Sequence, residues 1–258
     1  EIIDKLHVFR IKVERSSNTF IHQIKGFIKY WNGVHTIVKN KKYDLVFASS
    51  SKLFTAYLGY RIAKAQSTKL YLDIRDLFAE NLKELFPKFK IGQFFSYFLK
   101  IFFEKPCIQY ADHLNLNSGG FADEFKYKKR GILSYYPNGI DDYFIGHTQD
   151  SKLPTHPIVI TYAGNIGDGQ GLHKIVPMLA GKLGSDYLFQ IIGDGSALNK
   201  LKKIIQEHGL HNVRLIAPVR RDKLLYYYTH SHYLFLHLNN FKSFEKVIPS
   251  KIFEYAAL

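Results

Sequence analysis

Four short apolar runs alternate with helical stretches through the second half of the chain, and this alternation constrains the fold more than any other feature. Ile158–Tyr162, Leu188–Ile192, Val213–Ile216 and Tyr233–Leu238 are rich in β-branched and aromatic residues, as buried strands are. Between them the apolar spacing is helical. One helix is expected over 173–182, and one from a Ser196 cap through Leu198, Leu201, Ile204 and Ile205 to a stop at Gly209. A third follows Asp222, with Leu224, Leu225 and Tyr228 inward, and a fourth opens at Pro249. A β-α repeat of this kind predicts an α/β fold with a parallel sheet and helices on both faces. Such sheets bind ligands outside the carboxyl ends of their strands. The turns there are 163–171, 193–196, 217–222 and 239–250.

The first half repeats the pattern less regularly. Helices are expected over 19–39, 53–63, 81–86, 92–110 and 120–127, and strands over 45–48, 70–72, 114–116 and 132–135. The stretch 137–157 is rich in turn formers, which places a domain boundary there, at 147/148. The expected domains are 1–147 and 148–258.

The chain has 258 residues, 46% hydrophobic and 22% charged, enough for a sizeable core. Cys107 is the single cysteine, which excludes an internal disulfide framework and a cysteine-based zinc site. The twelve histidines show no metal-ligand spacing. The net charge of +14, spread over both halves, favours anionic partners. No nucleic-acid motif or block of five basic residues accompanies it, so no nucleic-acid partner is expected. KYKKR at 126–130 reads as a solvated helix end. No run of 18 apolar residues exists; the nearest, Ile91–Phe103, is short and interrupted. Residue 1 is Glu, the single Met is Met178, and Leu258 falls in an unfinished helix pattern, so a fragment of a longer protein is expected.

Three motifs carry chemistry. YAGNIGDGQG (162–171) follows a strand, and its glycines let backbone amides approach a phosphate. The turn alone fits a structural bend equally well. It lacks the G-x-G-x-x-G frame and the acidic residue about 20 positions on, which disfavours a nicotinamide site. IPSKIFEY (248–255) places Pro249 at a helix start, leaving the amides of Ser250, Lys251 and Ile252 for an anion. Glu254, one turn on, suits the hydroxyls of a sugar or ribose. DIRD (73–76) sets Asp73, Arg75 and Asp76 at a strand's carboxyl end, as substrate binders or as a structural ion pair. Glu80, close by, is a further acid/base candidate.

Together, YDLVFASS (43–50), LDIRDLFAE (72–80), YADHLNLNS (110–118), PNGID (137–141), YAGNIGDGQG, IIGDG (191–195) and IPSKIFEY resemble a bacterial glycosyltransferase of the GT-B fold. The resemblance is to retaining family four, in the O-antigen and capsule branch with its L-fucosamine transferases. It implies two Rossmann-like domains, here both incomplete. The second would bind a nucleotide-sugar donor, usually a UDP-sugar. The first would bind a polyprenyl-diphosphate-linked saccharide at the inner face of a membrane, which implies a cytoplasmic protein, peripheral to that membrane. Transfer would retain configuration without a bound metal or other cofactor.

Carried onto this chain, Gly164, Asn165, Gln170, Gly193, Asp194, Ser250 and Lys251 would hold the diphosphate. Glu254 would bind the ribose, and Pro218 and Val219 would lie near the base. Asp73, Arg75 and Asp76 would stand at the reacting centre. The sequence departs from the family at Lys246, where the first Glu of E-x7-E is expected. Asn165 and Gln170 replace the family's Arg and Lys, leaving helix amides and Lys251 to supply the charge. A GT-B epimerase or hydrolase, or a fragment that only binds nucleotide, would share this architecture. The basic, aromatic stretch 88–105 fits either an anionic membrane surface or a buried helix with exposed lysines.

Overall fold

The computed structural model describes residues 2–3, 6–13, 20–50, 52–77, 90–128, 130–147 and 153–258. The expected helix 81–86 and Glu80 lie outside these, and the boundary at 147/148 abuts residues 148–152, which also lie outside. The chain divides into two compact units, Glu1–Asn115 with Phe125–Ser134, and Leu116–Glu124 with Tyr135–Leu258.

The first unit opens with a short antiparallel pair, β1 (Ile2–Ile3) and β2 (Leu6–His7), which the sequence pattern does not signal. Then follow α1 (Phe20–Val38), β3 (Leu45–Ser50), α2 (Leu53–Gln66) and β4 (Lys69–Ile74). Next come α3 (Lys90–Leu99), a π-helical turn (Lys100–Glu104), α4 (Lys105–Tyr110), β5 (His113–Leu116) and β6 (Ile132–Tyr135). The sheet order is β3-β4-β5-β6, and β3 and β4 run parallel with Ser49 opposite Asp73. Leu53, Ala56, Leu58, Ile62 and Ala63 turn α2 inward. Gly59 lets that helix approach Ala48, whose Cβ would stand 2.7 Å from a β-carbon at that position. The expected helix 120–127 is instead a 3-10 stretch, Gly119–Phe125. KYKKR is not simply solvated. Lys128 is half-buried and donates to the Ala111 carbonyl at 2.7 Å.

The second unit follows the predicted alternation: β7 (Ile158–Ala163), α5 (Leu172–Leu183), β8 (Tyr187–Ile192), α6 (Leu198–Glu207), β9 (Val213–Ile216), α7 (Arg221–Thr229), β10 (Tyr233–Leu234) and α8 (Lys251–Ala256). All four strands are parallel, in the order β10-β7-β8-β9. Successive strand residues face opposite sides. Tyr162 and Ile191 therefore join Leu172, Val176, Phe189 and Leu201 in one core cluster. Their neighbours Ala163 and Ile192 join Phe144, Leu225 and Tyr228 in another. Helices thus cover both faces. The PNGID segment belongs with the second cluster: Asp141 pairs with Arg221 at 2.5 Å, whose guanidinium lies 5.9 Å from the Phe144 ring centroid.

Local details correct the reading of the caps. Residue Ala197, not Ser196, caps α6, and Arg220 caps α7 with Asp222 in its first turn. Gly209 ends α6 as expected, with φ of +58°. Strand β10 is two residues long rather than six. Phe235 still donates to the Thr161 carbonyl at 2.8 Å, after which the chain turns to bond the glycine turn instead of β7.

The turns after β7 and β8 are locked together. Gly164 N–H donates to the Ile192 carbonyl and Gly193 N–H to the Ile216 carbonyl, each at 2.9 Å. Gly193 has φ of +144°, and a β-carbon there would overlap the Gly164 carbonyl. Gly193→Ala is expected to destabilise the second unit by more than about 2 kcal/mol, combining strain with a backbone clash. Gly209→Ala, at φ of +58° with open space around it, is expected to cost only about 1 kcal/mol. Urea unfolding of the two variants beside the parent chain checks the contrast.

Candidate functional site

The order β10-β7-β8-β9 reverses direction at β7, so the switch point lies between β7 and β10. The crevice outside their carboxyl ends is where a sheet of this kind receives a ligand. A separate hollow of about 420 Å³ opens elsewhere, beside Gly184, Tyr187 and Asn212 at the amino ends of β8 and β9. It lies away from every motif, so the switch point is the better candidate.

Two loops build the crevice. The glycine turn leaves β7 and is closed by its own amides. Asn165 Nδ2 donates to Gln170 Oε1 at 2.9 Å, and Gly167 N–H donates to the same oxygen at 3.2 Å. Tyr162, at the end of β7, donates its hydroxyl to the Asn165 carbonyl at 2.7 Å. The loop after β10 binds the turn from the other side. Asn239 N–H donates to the Gly169 carbonyl at 2.8 Å, and its side-chain amide to the Asp168 carbonyl at 3.1 Å. His237 Nδ1 donates to the Gln170 carbonyl at 2.7 Å, which fixes its tautomer. Asn239 and His237 were not picked out from the sequence. The signal available was their position just past the strand that lies across the switch point.

Helix α8 supplies the charge. Tyr255 is four residues after Lys251, so both side chains leave one face of the helix. The Tyr255 hydroxyl accepts from the Ala163 N–H at 3.4 Å, and its ring meets Tyr228 edge-on at 5.3 Å. That docking lays Lys251 along Gly164, where a β-carbon would overlap the lysine Cε and Nζ. The ammonium sits 5.5 Å from the Tyr162 ring centroid. Burial pulls its pKa below the usual lysine value, with Glu254 opposing in part. Among the described residues Lys251 forms no ion pair with a carboxylate. A half-buried cation of this kind favours an anion beside it.

The remaining expected residues divide. Glu254 is half-buried and accepts from the Tyr228 hydroxyl at 3.3 Å, which holds it on the α8 side of the crevice. Gly193 and Asp194 shape the turn: the Asp194 carbonyl accepts from Ile166 N–H and its carboxylate caps Gly195 N–H at 2.7 Å. Val219 packs on the second core cluster, while Pro218 is exposed. The amides of Ser250, Lys251 and Ile252 are not all open, because Ile252 N–H is taken by the Pro249 carbonyl at 3.1 Å. Lys246 points its ammonium at Glu124, 2.7 Å away, and its carbonyl accepts from Ser118. His173, in the first turn of α5, is buried with neither ring nitrogen hydrogen-bonded among the described residues. Burial and nearby Lys200 push its pKa down.

In the first unit the DIRD residues form a fixed polar network. Asp73 Oδ2 accepts from Ser49 at 2.7 Å and from Arg75 at 3.0 Å, and Oδ1 accepts from Asn115 at 2.8 Å. Ser134 donates to Asn115 and contacts His113, so the chain of bonds crosses β3, β4, β5 and β6. Burial alone would raise the Asp73 pKa; bonds from Asn115, Ser49 and Arg75 outweigh it and lower the value. Asp76, by contrast, is raised by burial. These contacts are those of the structural ion pair that the sequence left open.

Residues 146–257 match the family described as Glycosyl transferases group 1. This segment is similar to the group 1 glycosyltransferases. The colanic acid biosynthesis glycosyl transferase WcaI of Escherichia coli (strain K12) is 24% identical over 135 residues, which are 47% of this chain and 33% of that protein. Among solved structures, sucrose-phosphate synthase from Thermosynechococcus elongatus superposes with a TM-score of 0.65 at 13% identity, over 87% of this chain and 58% of that one. Anabaena Alr3699/HepE in complex with UDP and glucose gives 0.55 at 13% identity, over 84% and 57%. The chain therefore spans about a third of WcaI and rather more than half of the two structures. These likenesses establish the GT-B type of α/β fold. The matched segment, 146–257, contains the whole switch-point crevice, from the glycine turn to α8.

The Asp73 network predicts a pH response. Its folded pKa lies below the unfolded one, so its contribution is present above about pH 4 and is lost as pH falls through the folded value. Asp73→Ala is expected to remove about 2–3 kcal/mol at neutral pH by leaving Asn115, Ser49 and Arg75 without their acceptor. It should also flatten the acid limb of the stability profile. Denaturant unfolding of both proteins from neutral pH to about pH 3 checks this.

Proposed function

We propose that this chain is part of a glycosyltransferase that takes a sugar from a nucleotide-sugar donor. The observation that carries the reading is the half-buried Lys251 ammonium laid against Gly164 at the switch point. A nucleoside diphosphate leaving group gains negative charge as the glycosidic bond to it breaks. A fixed cation in a partly dry site stabilises that charge more than water would. Close-approach glycines 164 and 193 admit the diphosphate, and Glu254 on the same helix suits the ribose hydroxyls.

The donor is proposed to be a UDP-sugar, since the solved structure of Alr3699/HepE was obtained with UDP and glucose. With Lys251 and backbone amides to neutralise the diphosphate, the reaction is proposed to run with retention and without a metal. The acceptor is proposed to be a polyprenyl-diphosphate-linked saccharide of surface polysaccharide synthesis, as the likeness to a colanic acid biosynthesis enzyme suggests. Such an acceptor would place the protein at the cytoplasmic face of a membrane. The acceptor side is proposed to lie in the first unit and the donor side in the second. Asp73, Arg75 and Asp76 are kept as candidates at the reacting centre, although Asp73 is already saturated with hydrogen bonds.

UDP titration by calorimetry tests the reading. Lys251→Ala is expected to weaken UDP at least about tenfold, with Lys251→Arg intermediate. Affinity should fall on raising the pH sooner than for an ordinary lysine, because burial lowers the pKa of this one. No UDP binding by the parent chain, or equal binding by Lys251→Ala, would overturn the assignment.

A further inference from the structure

Helix α3, the π-helical turn and α4 run on from one another as residues 90–110, and this segment carries two apolar sides. The inner side is conventional: Ser96, Leu99, Cys107 and Ile108 are buried, and Phe103 meets Phe54 and Tyr57 at 5.4 and 4.8 Å between ring centroids. The outer side is not. Phe94, Tyr97, Phe98, Ile101 and Phe102 are 73%, 62%, 39%, 36% and 58% exposed. Phe94, Tyr97 and Phe98 share one face of α3, at spacings of three and four residues. Phe102, in the π-helical turn, extends this stripe, its ring 4.6 Å from that of Phe98 and tilted by 37°. Phe54 of α2, itself 37% exposed, lies 5.5 Å from Phe27 of α1. Ile28 and Tyr30 of that helix are also exposed. An exposed aromatic surface of this kind marks a docking face.

Its charge selects the occupant. No acidic residue occurs between Glu84 and Glu104, while Lys88, Lys90 and Lys100 fall in the interval and Lys105 follows it. Glu104 is buried, 6% exposed, and accepts from the Tyr127 hydroxyl, so it adds little to the surface field. Lys105 is exposed beside the end of the stripe. Exposed aromatic rings on a segment that also carries Lys100 and Lys105 match the composition of a helix lying in a lipid headgroup layer. Among the described residues no helix is long and apolar enough to cross a membrane. We infer that the Phe94–Phe102 stripe is an in-plane contact for the surface of an anionic lipid bilayer. This deepens the proposed lipid-linked acceptor reading by naming the surface, and it is tested without donor or acceptor, so the two can fail separately.

The test is sedimentation with vesicles of phosphatidylcholine alone or mixed with phosphatidylglycerol. The parent chain is expected to sediment with the mixed vesicles and much less with the neutral ones. A variant carrying Phe94→Ser, Tyr97→Ser and Phe102→Ser should partition at least about tenfold less. Lys105→Glu should lower binding about fivefold or more. All four side chains are exposed, so circular dichroism and melting temperature should match the parent. If the triple variant does not fold, Lys105→Glu and the salt dependence of the parent decide. A parent chain that stays in the supernatant with anionic vesicles would overturn the inference, as would a folded triple variant that binds like the parent. Concentration-dependent self-association abolished by the triple variant, without vesicle binding, would assign the stripe to a second copy and equally overturn it.

Discussion

The close approach of two backbone turns, after β7 and after β8, governs the second unit. Gly193 has no side chain, so it can lie against the Gly164 carbonyl; Gly164 has none, so the stem of Lys251 can lie against it. The first contact brings the glycine turn over the ends of the strands. The second leaves a cation beneath that turn. A β-carbon at either position would push apart elements that the hydrogen bonds from Gly164 to Ile192 and from Gly193 to Ile216 hold together. Geometry of this sort stores no strain in an L-residue, because glycine adopts these angles freely.

Around that contact the crevice is held by neutral groups. Asn165, Gln170, Asn239 and His237 bond one another's loops, whereas the family resemblance implies that the two amides face the ligand. Their engagement with each other leaves Lys251 as the principal charge. Its position follows from Tyr255, which fastens the short helix α8 to the end of β7. Lys246 shows the same division of labour: with its ammonium on Glu124 and its carbonyl on Ser118, it ties the 118–124 segment to the second unit. A carboxylate at Lys246 would instead repel Glu124.

The first unit shows how a motif can be legible in sequence while its role is not. DIRD stands at a strand's carboxyl end, where a substrate group is reasonable. Yet Asp73 has three donors, two of them from β3 and β5, strands far away in sequence. Saturation of that kind depends on which strands become neighbours, and spacing along the chain carries no information about it. Segment 88–105 is the converse case. Its composition allowed a membrane helix or a buried one. The structure buries one side, through Leu99 and Cys107, and leaves the Phe94–Phe102 stripe outside.

Sequence alone determined the parallel α/β architecture of the second unit, because period-two and period-3.6 patterns are local consequences of side-chain direction. It also located the turns at the strand ends, since glycine and proline act on their own backbone. Helix caps and the length of β10 were less legible, because neighbouring bonds compete for the same amides. Only the tertiary structure decided that Asn239 and His237 join the site, that Lys251 lies unpaired by carboxylates among the described residues, and that Asp73 is saturated. Each of these is set by contacts between residues tens of positions apart, fixed by strand order and by helix docking rather than by any local preference.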